Sequence, residues 1–247
     1  MRLVLAVVVL AGCGRLGFGE SRESDAAMND SATVDASPLD EICGTDDADG
    51  DGVGDACDPS NAAPHHIVLF ESFSDLPNWT ITGAALWTVN SDGLHGMYTD
   101  TSASSFVSPV PFAPPFTITI RYTIEALDAG SSNFTISAVD AFDLVTEDSQ
   151  KCGQASPTRN AIGHEMSGTT VDASSVQFDD SLMAGETYVT TFEHGLVNMK
   201  CTTAVPALGP GATVSVQHAP WRSSGLIGVR IRSIAATFHS LLVVALD

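Results

Sequence analysis

The sequence predicts an all-β fold, an antiparallel β-sandwich that begins near residue 65. Between residues 116 and 126, apolar side chains alternate with Thr, Arg and Glu, as they do in a strand with one buried and one solvated face. Turn-forming clusters such as Ser91-Asp92-Gly93 separate the alternating runs. Many short strands without an intervening helical period are typical of a β-sandwich.

The remaining strands are predicted from the same alternation. Apolar side chains recur at every second residue in 134–138, 188–192, 214–216 and 227–231. In the last of these, Arg230 and Arg232 are expected to lie outside. Residues 241–246 are almost continuously apolar, which predicts a closing strand buried on both faces.

Length and charge limit the functions that the chain can have. Its 247 residues suffice for one sizeable domain with an N-terminal extension. The 30 acidic residues outnumber the 10 basic ones, which gives a formal net charge of −20. Because nucleic-acid binding needs a basic surface that replaces counterions, no nucleic-acid partner is expected.

The first residues have the pattern of an export signal. Arg2 precedes an apolar run from Leu3 to Leu10, which is too short for a bilayer span of about 20 residues but fits a signal peptide. The tetrad Leu10-Ala11-Gly12-Cys13 resembles the bacterial lipobox. This resemblance implies that residues 1–12 are a lipoprotein signal peptide and that Cys13 is lipidated. A plain cleaved signal with an incidental cysteine is the alternative.

Residues 13–41 are predicted to be a lipid-anchored, disordered acidic tether. Carboxylates recur there among Ser, Ala, Gly and Asn without an apolar period. Such a composition buries too little apolar surface to offset the entropy of ordering. We therefore expect an exported protein that is attached to the membrane of the cell envelope through its N-terminal lipid. Gly14, where an aspartate would favour the inner membrane, points to the bacterial outer membrane.

Residues 42–64 contain a loop with regularly spaced carboxylates. Counting Asp47 as position one, further aspartates fall at positions three, five, nine and twelve, and a glycine stands at position six. Calcium prefers about six to eight oxygen ligands, and glycines let the chain wind tightly enough to direct them inward. The expected Ca²⁺ ligands are Asp47, Asp49, Asp51, the backbone carbonyl of Val53, Asp55 and Asp58.

This loop departs from an EF-hand in two respects. Position twelve is Asp58 rather than glutamate, and no amphipathic helices are predicted beside the loop. The pattern Asp-x-Asp-x-Asp-Gly-x-Gly-Asp-x-Cys-Asp over residues 47–58 resembles a single thrombospondin type 3 repeat. The resemblance implies a chain that is wrapped around calcium and stapled by a disulfide. A solvated acidic linker is the alternative.

Four cysteines follow the lipobox, and an even number in an exported chain predicts disulfides. Three pairings are open. Cys43 and Cys57 bracket the acidic loop, so we pair them, which leaves Cys152 with Cys201. The adjacent residues His65-His66 are not expected to form a ligand pair, because neighbours in a strand face opposite ways.

The β region has recognisable opening and closing segments. The first contains Phe70-Glu71-Ser72-Phe73-Ser74-Asp75, Trp79, Trp87 and Asp92-Gly93-Leu94, and the second contains Ile227-Gly228-Val229-Arg230 and Phe238. Together they resemble the first and last strands of a concanavalin-like, laminin-G-like jelly roll. The resemblance implies a jelly-roll domain over residues 65–247, of a kind found in lectins, adhesion modules and glycosidases.

The sequence does not favour an enzyme. Jelly-roll glycosidases resembling this fold carry Glu-x-Asp-x-x-Glu on one strand, and none of the glutamates here stands in that pattern. Asp179-Asp180 and Glu147-Asp148 are candidate catalytic carboxylates by composition only.

Trp221 is the candidate ligand-binding residue, because it lies in a predicted loop where it could stack on a sugar ring. Trp79 and Trp87 are expected in the core. We therefore predict a non-catalytic, calcium-binding cell-surface lipoprotein that displays a β-sandwich for glycan or protein binding. The alternatives are a structural envelope protein without a small ligand and a divergent polysaccharide hydrolase.

Overall fold

The computed structural model describes residues 39, 43–58, 60, 64–74, 79–98, 103–127, 136–146, 148–156, 158–166, 169–177, 183–205 and 214–246. All of them belong to one compact unit, Ala36–Asp247. The predicted signal peptide, Cys13 and most of the predicted tether lie outside the described residues. No helix among the described residues is both long and apolar enough to cross a membrane.

The described residues form fifteen strands. They are β1 (His65–Glu71), β2 (Thr80–Thr82), β3 (Leu86–Asn90), β4 (Gly93–Tyr98), β5 (Ser104–Phe112), β6 (Phe116–Leu127), β7 (Ile136–Phe142), β8 (Ser149–Ser156), β9 (Arg159–Met166), β10 (Thr169–Gln177), β11 (Thr187–His194), β12 (Met199–Ala204), β13 (Val214–His218), β14 (Gly225–Ile231) and β15 (Ile234–Leu246).

These strands build two antiparallel sheets, which we call sheet I and sheet II. Sheet I has the order β13-β12-β11-β6-β15-β4-β3, and β1 also pairs with β15. Sheet II has the order β10-β9-β8-β7-β14-β5-β2. The core lies between them and contains side chains from both sheets. The prediction of an antiparallel β-sandwich is therefore confirmed.

The alternation of apolar and polar side chains along the strands determines which residues face the core. Ile118, Ile120 and Tyr122 of β6 are fully buried, as is Phe192 of β11, while Thr119 and Arg121, which alternate with the β6 residues, are more exposed. Trp87 is buried and Trp79 packs against the same core, as the sequence predicts for both. The inner face of each strand thus follows the period of two that the sequence shows.

Strand β15 is buried on both faces, as its continuous apolar run predicts. Leu241 and Val243 face the core between the sheets. Leu242 and Val244 face outward, where they pack against Cys43 and Val53 in a second apolar cluster. The acidic loop therefore lies against the sandwich, and this contact explains why residues 241–244 of the last strand have no polar face.

Both predicted disulfides are present. Cys43 pairs with Cys57 across the acidic loop. Cys152 of β8 pairs with Cys201 of β12 at a sequence separation of 49, so this bond joins sheet II to sheet I through the core. By chain entropy, closing a loop of that length stabilises the folded state by about 4 kcal/mol.

Arg230 lies on the outer face of sheet II, as predicted, but it is only 4% exposed. Its guanidinium forms an ion pair with Glu165, whose carboxylate also accepts a hydrogen bond of 2.6 Å from Lys151. Alternation predicts the face but not the burial, because the burial depends on charged partners from β8 and β9, which are not adjacent to β14 in the sheet.

Candidate functional site

The acidic loop brings four of its predicted ligands into two groups. Carboxylate oxygens of Asp47, Asp49 and Asp51 lie within 4.8 Å of one another. Atoms of Asp51, Asp58 and His65 form a second group within the same distance. Asp51 belongs to both groups, so the loop presents a continuous set of oxygen atoms with one ring nitrogen at its edge.

Backbone hydrogen bonds hold the loop in this shape. Asp47 accepts from the N–H groups of Gly50 at 2.8 Å and Gly52 at 2.9 Å. Both glycines have positive φ, 77° and 91°, which a side chain would disfavour. The side chain of Val53 is buried against β15. Asp55 lies outside both groups, and its Oδ1 accepts the N–H of Ala48 at 2.8 Å.

Asp58 gives the clearest sign of a missing partner. Its side chain is 1% exposed, and its Oδ1 accepts a hydrogen bond of 2.8 Å from His65 Nδ1. Its Oδ2 is buried and has no hydrogen-bond partner among the described residues. Leaving a buried carboxylate oxygen unsatisfied is costly, and a bound cation would satisfy it.

The charge of the loop also fits a cation. Partial desolvation, together with the charges of Asp51, Asp58 and Asp47, raises the pKa of Asp49 above its ordinary value, although a backbone hydrogen bond opposes this. A cation placed among these carboxylates would remove the repulsion. Oxygen-rich donor sets of this kind suit hard cations such as Ca²⁺. The described residues therefore fit the predicted ion.

His65 is the residue of this group that sequence reasoning missed. Its side chain lies beside Asp51 and Asp58. Its backbone N–H donates to Asp51 and its ring donates to Asp58. No spacing rule could reveal this contact, because it depends on how β1 docks beside the loop.

A pocket of about 720 Å³ surrounds Trp221 at one end of the sandwich. The indole is half-buried and packs against the core, with the ring of His164 at 4.2 Å and that of His218 at 4.8 Å between centroids. The sequence suggested an exposed loop position, and the structure gives a partly exposed ring anchored from behind. The pocket is lined by Pro114, His194, Leu196, Val197, Ala219, Pro220, Trp221, Arg222, Ser223 and Ser224.

Buried Gln150 fixes the loop that carries Trp221. Its Oε1 accepts the backbone N–H groups of Trp221 at 2.7 Å and Arg222 at 3.1 Å. Its Nε2 donates to Asp140 at 3.1 Å and to the carbonyl oxygen of Arg222 at 3.3 Å. Asp140 also accepts from the buried ring of His194. The pocket loop is therefore held from the core and not only by its own turns.

The candidate catalytic carboxylates gain no support. Asp148 forms an ion pair of 2.7 Å with Arg222, which positions the pocket loop. Asp179, Asp180 and Glu147 lie outside the described residues.

No protein-family model matches the chain, and no curated protein matches it. Solved structures do match. The carbohydrate binding module CBM66 from Bacillus subtilis has 15% identity and a TM-score of 0.52, over 65% of this chain and 91% of that one. The VIP36 exoplasmic/lumenal domain, in its Ca²⁺/Man3GlcNAc-bound form, has 7% identity and a TM-score of 0.53, over 69% and 85%.

A seed lectin of Lotus tetragonolobus is similar to the same extent, with 9% identity and a TM-score of 0.52 over 72% of this chain and 98% of that one. The sandwich is a concanavalin-like jelly roll. At these identities the likeness shows the fold of the jelly roll and leaves its ligand to be argued from its own residues.

Proposed function

We propose that the protein is a non-catalytic, calcium-binding surface lipoprotein whose jelly roll binds glycans. The observation that carries the proposal is the pocket at Trp221, which combines a half-buried aromatic ring with polar groups on a preformed loop. The carbohydrate-binding module and the lectins among the structural neighbours support the same ligand class.

The pocket offers the two kinds of contact that a sugar ring needs. A pyranose has an apolar C–H face that packs on an indole, and hydroxyl groups that require hydrogen bonds. Leu196, Val197 and Trp221 supply apolar surface, while Ser223 and Ser224 add hydroxyl groups.

Preorganisation favours binding by this loop. Because Gln150 already satisfies the amides of Trp221 and Arg222, little conformational entropy is lost when a ligand arrives. The ion pair between Arg222 and Asp148 restrains the same loop from outside. A binding module gains affinity from such rigidity without needing any group that moves a proton.

Calcium has a structural place in this proposal. Asp47, Asp49, Asp51 and Asp58 would hold the ion, and the buried unpartnered oxygen of Asp58 supports their assignment. The ion would supply the positive charge that these carboxylates lack. Since the loop packs on β15, it would fix the junction between the tether and the jelly roll.

A glycan array followed by titration calorimetry tests the proposal. We expect the full chain, purified in detergent, to retain a defined set of oligosaccharides. Trp221→Ala should weaken that binding by about tenfold or more, since an aromatic contact contributes about 0.5–1.5 kcal/mol beyond its buried area and about 1.4 kcal/mol corresponds to tenfold. The control Leu86→Ala removes an exposed apolar side chain on β3, away from the pocket.

Two further results make the outcome decisive. Because Trp221 packs on the core, the double variant Ser223→Ala/Ser224→Ala serves as a milder change, and thermal unfolding checks that each variant is folded. Retention of no glycan by the wild-type chain over a broad panel would overturn the proposal. Equal affinity of the wild type and both pocket variants would overturn the assignment of the site.

A further inference from the structure

A second cavity lies on sheet I, where two strands share one edge of β15. Strand β4 pairs with β15 as far as Phe238, and β1 pairs with it from Leu241 onward. His239 and Ser240 fall between these two pairings. The resulting notch has a volume of about 490 Å³.

Three backbone irregularities build this notch. A register shift between Phe238 and Ser240 makes His239 a β-bulge. Gly93 approaches β15 so closely that an added Cβ would lie 2.2 Å from the carbonyl oxygen of Phe238. Phe73 is fully buried with φ of 55°, a conformation that costs a residue with a side chain about 1–3 kcal/mol. Bulges and strained residues concentrate beside binding sites.

The notch is rich in hydroxyl and amide groups. His239 is fixed in its wall, because Nδ1 donates to the carbonyl oxygen of Asp92 at 2.8 Å and Nε2 lies 2.8 Å from the hydroxyl of Thr123. The polar side chains that line the notch include Asn90, Asp92, Arg121, Thr123, Thr187 and His239.

Arg121 lines the notch and carries a positive charge. It is exposed on β6, and it has no ion pair or side-chain hydrogen bond among the described residues. The carboxylate of Asp92 accepts from Ser91 at 3.2 Å rather than from Arg121.

We propose that the notch binds an acidic sugar, with the carboxylate of a uronic acid on Arg121 and its ring hydroxyls on the surrounding polar groups. The planar guanidinium matches a carboxylate with two parallel hydrogen bonds. Thr123 is engaged by His239 and by the hydroxyl of Thr187, both at 2.8 Å. The oxygen of Thr187 and the NH₂ group of Asn90, whose Oδ1 accepts the N–H of Asp92, suit the hydroxyl groups of the same ring, and the carboxylate of Asp92 provides an acceptor. A neutral sugar would leave Arg121 without its partner.

This site is separate from the pocket at Trp221. The two cavities share no lining residue. The notch can therefore bind its ligand whether or not the proposed function of the Trp221 pocket is correct.

Titration of the full chain in detergent with small ligands tests the inference. Glucuronate, galacturonate, glucose and acetate are compared by calorimetry or by chemical shifts at low ionic strength. We expect one of the uronates to bind at least about tenfold more tightly than glucose and acetate. Arg121→Gln should weaken that binding by about tenfold. Arg121→Lys should retain part of the affinity, because lysine keeps the positive charge but cannot form two parallel hydrogen bonds to the carboxylate.

The control is Lys200→Gln. It makes the same change of charge on sheet I, at an ion pair with Glu193 outside the notch, and should leave uronate affinity unchanged. Arg121 is exposed, so Arg121→Gln should unfold at the temperature of the wild type.

Three outcomes would overturn the inference: no uronate binding, acetate binding as tight as uronate binding, or uronate affinity that is equal in the wild type and Arg121→Gln. If Trp221→Ala abolishes uronate binding while Arg121→Gln leaves it intact, the uronate belongs to the other pocket and the notch is excluded.

Discussion

At the scale of single residues, Asp58 links the spacing of the acidic loop to its chemistry. The sequence places it at position twelve of a calcium-type pattern, and the structure leaves one of its oxygens buried without a partner among the described residues. The other oxygen is held by His65. Replacing this carboxylate therefore separates a cation site from an acidic turn that only orders its own backbone.

We expect Asp58→Asn to weaken calcium binding by about tenfold or more, because it removes one charged ligand from an oxygen-rich set. Calorimetry or terbium luminescence measures the affinity. Asp46→Asn is the matched control, since it removes a neighbouring charge that belongs to neither ligand group. Unchanged affinity in Asp58→Asn would contradict the assignment.

Lys151 predicts a pH dependence of stability. Burial first, and then the charge of Arg230, lower its pKa to about 7 against the opposing charge of Glu165; Arg232 contributes in the same direction as Arg230. In the unfolded chain a lysine titrates near its ordinary pKa of about 10.4. Between these values the unfolded state binds more protons, so the free energy of unfolding should rise as pH increases from about 7 to about 10.

Denaturant titrations across this range test the effect of Lys151. Lys151→Met should flatten the rise, because the side chain then has no proton to exchange. Identical pH slopes for the wild type and Lys151→Met would show that another group is responsible.

Some residues of the two candidate sites could be predicted from the sequence and others could not. Spacing along the chain reveals Asp47, Asp49, Asp51 and Asp58, because a loop uses consecutive positions. It cannot reveal His65, whose role depends on the docking of β1. Arg121 gives no sequence signal either, since an alternating strand such as β6 normally carries a charged residue on its outer face.

At the scale of elements, the strands that alternation predicts are those with one apolar and one polar face, such as β6 and β11. Strands β8 and β9 do not show this pattern because they bury polar side chains. Gln150, Lys151 and Gln154 are all buried in β8, where hydrogen bonds and ion pairs replace apolar contacts. A period of two in hydrophobicity cannot detect such a strand.

The disulfide between β8 and β12 gives a prediction about the whole sandwich. Cys152→Ala/Cys201→Ala should lower the free energy of unfolding by about 4 kcal/mol, because it releases a loop closed across 49 residues. Chemical denaturation under oxidising conditions measures the difference. If the double variant is as stable as the wild type, the bond does not constrain the unfolded chain as proposed.

Cys43→Ala/Cys57→Ala provides the comparison. This bond closes a loop of 14 residues within the acidic loop. Its removal should weaken calcium binding, and it should lower the free energy of unfolding of the sheets by less than removal of the core bond does. A larger loss of sheet stability here than from the core pair would reverse the roles of the two bonds.

At the scale of the molecule, the acidic loop connects the proposed tether to the jelly roll. Cys43 and Val53 pack on Leu242 and Val244 of the last strand. Because calcium would order the loop above this contact, chelation should increase proteolysis between residues 41 and 64 while the sheets remain protected. Limited proteolysis with and without chelator measures this, and equal cleavage in both conditions would contradict it.

The lipid anchor is tested at the same scale. We expect the wild-type protein to enter the detergent phase on phase separation and Cys13→Ala to remain in the aqueous phase, because buried acyl chains supply about 0.8 kcal/mol per methylene. Cys43→Ala/Cys57→Ala controls for the loss of cysteines elsewhere. Partitioning of Cys13→Ala with the detergent would contradict lipidation at this position.

The central claim, that the jelly roll is a glycan-binding module, is tested most directly by a crystal structure of the protein with an oligosaccharide that it retains on an array. The account predicts a sugar ring packed on Trp221 and hydrogen-bonded to the loop of Arg222, Ser223 and Ser224. A bound oligosaccharide that makes no contact with Trp221 would contradict it.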